Sequence, residues 1–169
     1  LSEILGERVD STLSKAIKDA ANSFDEVKGT YDLILHNYGP DKYFGSIHVE
    51  VDDTLTADEI DSLSRKISMK IYQECGVILE AIGIYSVNTK DSDVVSLKNK
   101  IYEIVNTHEF IIEIHGFRAD MKEKNIYMDV IISFSCPDRK RLYDHILTEI
   151  RYFYPDYTIN MALDVDISN

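Results

Sequence analysis

Asp32, His36 and His48 stand close together in the sequence and carry ligand chemistry for a divalent cation. Imidazole nitrogen and carboxylate oxygen both suit zinc or manganese. Two His with one carboxylate would leave positions for water or for a ligand from another protomer. That chemistry needs the three side chains on one surface, and residues 29–51 offer one. Tyr31, Leu33 and Leu35 alternate with Asp32, Ile34 and His36, the period-2 signature of a half-buried strand. Residues 37–45 supply Asn, Gly, Pro, Asp and a second Gly, which turn a chain. The return strand points Ile47, Val49 and Val51 inward and Ser46, His48 and Glu50 outward. If this hairpin pairs around Asp41, His36 faces Ser46 and Ile34 faces His48. The two imidazoles are then diagonal neighbours about 7–8 Å apart, within reach of a shared ion. The competing reading is a polar outer sheet face with two ordinary histidines.

Composition narrows the function classes. The net charge of the 169 residues is -12, from 30 acidic against 18 basic side chains. A chain so acidic is not expected to bind nucleic acid, which needs a basic surface, or to adhere to an anionic membrane. An acidic surface concentrates cations, although it also simply keeps a protein in solution. Cys75 and Cys136 show no metal-site spacing and read as buried, reduced thiols. No Gly-rich phosphate loop, GxSxG elbow, HExxH motif or nucleophile–base pairing is visible, so no enzyme is expected. No apolar run reaches the roughly 20 residues that cross a bilayer, so the piece itself reads as soluble. It begins at Leu1 rather than Met, which fits a cut from a longer protein.

The order of elements repeats. Ser11 can cap a helix with Leu13, Ile17, Ala20 and Ala21 on one stripe, and the hairpin follows. Thr56 with Glu59 fits a capping box, Ile60, Leu63, Ile67 and Ile71 recur at helical spacing, and Gly76 closes that helix. Residues 79–87 read as a third strand, and the polar run 88–93 as a joint. After it come a helix over 96–107, strands over 110–117 and 126–134, a helix over 138–154 stopped by Pro155, and a strand over 157–165. The run Leu33-Ile34-Leu35-His36 matches Ile112-Glu113-Ile114-His115 at an offset of 79, and Gly76 matches Pro155 at the same offset. On this alignment His115 repeats His36, and Asp129 takes the place of His48. Glu113, His115 and Asp129 would share the second face, where a hard-cation site competes with the favoured reading of a solvated or interface-facing sheet. His108 reads as a helix-end residue and His145 as a surface-helix residue, and neither is given a role.

The run Tyr31-Asp32-Leu33, then His36-Asn37-Tyr38-Gly39-Pro40, then Ser46-Ile47-His48-Val49-Glu50-Val51 closely resembles the cytosolic C-terminal domain of cation diffusion facilitator transporters. Leu5-Gly6-Glu7 resembles the segment after that family's last membrane helix. The resemblance covers residues 1–89 continuously, and reaches 90–169 only through the repeat. It implies an α+β fold of tandem ferredoxin-like, metallochaperone-like α-β-β-α-β units, with a dimerisation domain over 1–89 and a divergent copy over 90–169. It implies a cytosolic homodimer attached to membrane-spanning helices of an efflux transporter for zinc or manganese. His48 matches the family's second-strand ligand, and Tyr31 followed by Asp32 stands at its first-strand position. Ile82, Ile84 and Tyr85 stand where zinc-transporting relatives often have a last-strand His. The implied site is therefore Asp32 and His48, with His36 as neighbour.

Overall fold

In a computed structural model, residues 11–40 and 42–164 are described. Leu5, Gly6, Glu7, the turn residue Asp41 and the strand end Val165 lie outside them. The chain divides into two compact units, one ending its main run at Tyr85 and the other beginning at Ser86.

In the first unit, α1 (Ser11–Asn22) buries Ile17, Ala20 and Ala21, the stripe expected from its spacing. It leads to strand β1 (Val27–Asn37), antiparallel to β2 (Tyr43–Asp52). Helix α2 (Ala57–Cys75) starts at a true capping box. The Thr56 hydroxyl accepts from the Glu59 backbone N–H, and the Thr56 backbone N–H donates to Glu59 Oε2 at 2.7 Å. The Thr56 backbone N–H and then its hydroxyl, both donating to Oε2, hold the Glu59 carboxyl below the usual range. Leu63, Ile67 and Ile71 face the core, and Gly76 ends the helix in the left-handed conformation with φ 69°. Strand β3 (Val77–Val87) then joins β2, giving the sheet order β1-β2-β3. Ile17, Ile47, Val49, Ile67 and Ile71 fill the core between helices and sheet.

The second unit repeats the plan. Helix α3 (Ser92–Asn106) begins four residues before the expected start, because the Asp91 carboxylate accepts from the N–H groups of Asp93 and Val94. Strands β4 (Ile111–Asp120) and β5 (Asn125–Ile132) pair antiparallel. Helix α4 (Arg139–Phe153) is capped by Asp138. Strand β6 (Thr158–Asp164) runs parallel to β5, as a helical crossover allows. Ile101, Ile126, Met128, Ile132, Ile146 and Ile150 form its core. The tandem α-β-β-α-β architecture is the expected one. Cys75 and Cys136 are free thiols but half-buried rather than buried, and desolvation raises the Cys75 thiol.

The repeat itself is corrected by the strand registers. In both hairpins the pairing slips twice, between Val27 and Gly29 and between Tyr31 and Ile34 in the first, and between Ile111 and Glu113 and between His115 and Arg118 in the second. Matching these bulges sets β1 against β4 at an offset of 84 (31 to 115) and β2 against β5 at 81 (48 to 129). His115 therefore stands at the place of Tyr31, not of His36, while Asp129 does stand at that of His48. The apolar-x-apolar-His similarity aligned two stretches whose hairpins differ by three residues in length.

Candidate metal centre

The second slip in β1 is the device that builds the first site. Tyr31 pairs with His48 and Ile34 with Ser46, so Asp32 is the extra residue of a β-bulge. It has φ 53°, a left-handed conformation that Asp tolerates better than most side chains. A regular strand would alternate Asp32 to the opposite face from Tyr31 and His48. The bulge instead re-aims the carboxylate, and Asp32 Oδ2 lies 3.1 Å from His48 Nδ1. That distance is close enough for an ion pair, yet Nδ1 is buried and makes no hydrogen bond of acceptable geometry. Carboxylate and ring nitrogen converge without being aligned on each other, as two ligands of one cation would.

Strand β3 completes the surroundings. The Tyr85 hydroxyl donates to Asp32 Oδ2 at 2.6 Å, and the Tyr85 ring stacks on His48 with centroids 4.7 Å apart and planes 15° apart. Gly83 gives the imidazole room, since a Cβ there would collide with His48 Cδ2 and Nε2. The sequence signal for this was a glycine inside a strand, which marks a close approach. His36 is not part of the group. It is exposed and opposite Phe44, four residues along β2 from His48 or about 13 Å at strand rise. The diagonal His36–His48 pair expected from a turn around Asp41 is replaced by Tyr31 opposite His48: the strands pair two residues away from the expected register, with His36 opposite Phe44 rather than Ser46, and the bulge adds one residue more.

In the second unit the bulge carries Gly116, φ 62°, instead of Asp32. The imidazole moves to the first strand and the acid to the second: His115 pairs with Asp129. His115 is fully buried, with Nε2 3.8 Å from Asp129 Oδ2 and 3.4 Å from Asp164 Oδ2. Two carboxylates thus converge on one ring nitrogen. Asp164, at the end of β6, was not singled out from the sequence because its approach depends on the parallel register of β5 and β6, which pairs it with Ile131. Glu113 stands opposite Ile131, on the far side of the other bulge.

The model of the cation efflux protein cytoplasmic domain matches residues 9–82. Among solved structures, the metal-bound C-terminal domain of the CzcD transporter from Thermotoga maritima is 18% identical, covering 48% of this chain and 92% of that one, with a TM-score of 0.39. A nickel form of the MamM CTD carrying one substitution is 14% identical, covering 48% of this chain and 100% of that one, with a TM-score of 0.40. A search of the curated proteins found no match. No helix among the described residues is long and apolar enough to cross a membrane. Residues 9–82, just under half of the chain, are thus similar to the cytoplasmic domain of cation efflux proteins, the family that the hairpin and capped helix resemble.

Proposed function

We propose that this chain is the regulatory and dimerising cytosolic part of a divalent-metal efflux transporter. In this reading, residues 1–89 form the dimerisation domain, and 90–169 a divergent second copy. Zinc or manganese binds at Asp32 and His48, favours a closed homodimer, and the shift in population passes to attached membrane-spanning helices. The observation that carries the reading is the bulge at Asp32, which brings a carboxylate to 3.1 Å from an imidazole nitrogen on the neighbouring strand. Two protein ligands leave open positions that water or a second protomer can fill. Tyr85 would hold Asp32 in orientation, as outer hydrogen bonds commonly do for metal-binding carboxylates. His115, Asp129 and Asp164 offer a more acidic donor set in the second unit, suited to manganese better than zinc.

A second reading is a dimerisation module without a working metal site. It is favoured by the closed contacts of Tyr85, whose hydroxyl already serves Asp32 and whose ring already covers His48. Sedimentation velocity with zinc, with manganese and with chelator separates the two. A dimer tightened by metal and loosened by chelator supports the regulatory reading; a dimer indifferent to both supports the second.

A further inference from the structure

A different group of ligand atoms gathers on the helices of the second unit. His108, just beyond α3, meets His145 and Glu149 of α4, and one ligand atom from each lies within 4.8 Å of the others. His145 and Glu149 are four residues apart, so they share a face of α4. His108 Nε2 lies 3.1 Å from Glu149 Oε2, and its ring meets that of His145 edge to face with centroids 5.3 Å apart.

The surroundings of His108 fix its tautomer. Nδ1 is 3.2 Å from the Ile104 carbonyl oxygen and 3.3 Å from that of Val105, with Thr107 Oγ1 also at 3.3 Å. Carbonyl oxygens only accept, so Nδ1 carries the proton. The Nε2 lone pair would then face a carboxylate, which requires a positive charge between them: a second proton or a metal ion. Donation of the other ring N–H to a backbone carbonyl is the usual support of a metal-bound histidine. The negative end of the α3 dipole also favours a cation nearby. His108 is nearly enclosed while His145 is exposed, so one side of the group stays open to water.

We infer that His108, His145 and Glu149 form a site for a zinc-class divalent cation that clips the end of α3 to α4. Two imidazoles and one carboxylate match zinc, whereas magnesium and calcium prefer all-oxygen shells. The site is built on helices, shares no residue with the hairpin sites, and does not depend on the transport reading. A cation held only by the folded state stabilises it, so zinc raises the melting temperature of the second unit.

The test is a zinc titration of the whole chain carrying His48→Ala and Asp164→Asn, followed by calorimetry and by nitrogen-resolved NMR of the imidazoles. One zinc equivalent is expected to remain, with His108 Nε2 and a His145 ring nitrogen shifting while His108 Nδ1 keeps its proton. Adding His145→Ala or Glu149→Gln should weaken that binding by about 10-fold or more, and magnesium should leave the resonances in place. Unmoved imidazole signals in excess zinc, or a proton retained on His108 Nε2, would overturn the site and leave an ion pair with Glu149. The same resonances read in the unaltered chain give the answer if the double variant is destabilised.

Discussion

The two hairpins share one backbone device and put different chemistry on it. Each slips its register at the same two places, and each sets a left-handed residue in the second bulge. In the first unit that residue is Asp32, which reaches His48 across the sheet; in the second it is Gly116, which contributes no side chain. The imidazole has also changed strands, from β2 to β4, and there two carboxylates approach it instead of one. His48 has 40% of its side chain exposed, and His115 none. The difference teaches that the bulge, which bends the strand carrying it, is the feature both units keep, and that the side chains set around it are the part that varies. A carboxylate in the bulge meets a partly exposed imidazole. A glycine there hands the acidic role to the neighbouring strands.

The largest effects should come from the two cores, and they test whether the units are separate domains. Ile67→Ala should cost about 2–5 kcal/mol, as buried large-to-small changes do, with hydrogen exchange accelerated in α1, α2 and β1–β3. Ile146→Ala should cost a similar amount in α3, α4 and β4–β6. Uniform acceleration throughout the chain by either variant would dissolve the division.

Exchanging the bulge residues is the sharper contrast. Gly116→Ala should destabilise by roughly 1–2 kcal/mol, because a Cβ in the left-handed region is strained. Asp32→Gly should relieve strain and leave stability equal or higher, yet lose metal binding at His48. Chemical denaturation and calorimetry on the same samples would show whether the two responses separate, and a parallel loss of both would show that Asp32 is structural. Gly83→Ala acts from the other side: its Cβ displaces the His48 ring, and zinc affinity should drop about 10-fold with little change in stability, as for a lost supporting contact. Unaltered affinity would mean that the ring position is irrelevant.

Thr56→Ala should be the smallest effect, about 1 kcal/mol from the lost cap, confined to the start of α2. The capping box also carries a pH dependence. Hydrogen bonds from Thr56 lower the Glu59 carboxyl, so its contribution is complete above the unfolded value near 4.3 and is lost as pH falls through the lower folded value. Amide protection factors in the first turn of α2 should therefore fall as the pH drops below the unfolded value, and Thr56→Ala should abolish that dependence.

Element order, capping at Thr56 and Gly76, and most of the core were legible because each follows from local spacing. The bulge at Asp32 was not, since one extra residue leaves the apolar pattern of Leu33 and Leu35 intact while shifting every pairing beyond it. His36 looked like the neighbour of His48 because the strands pair two residues away from the assumed register, and His115 looked like the repeat of His36 because the two hairpins differ by three residues in length. Asp164 and the His108–His145–Glu149 group were hidden for another reason. Their partners meet only after a parallel strand or a second helix is placed, which no single-segment periodicity reports.

The most direct measurement is calorimetric titration of the whole chain with zinc and with manganese, set beside the same titration of His48→Ala. A divalent cation held between Asp32 and His48 predicts that the variant loses one binding equivalent and keeps the rest. Superimposable isotherms for the two proteins would contradict it.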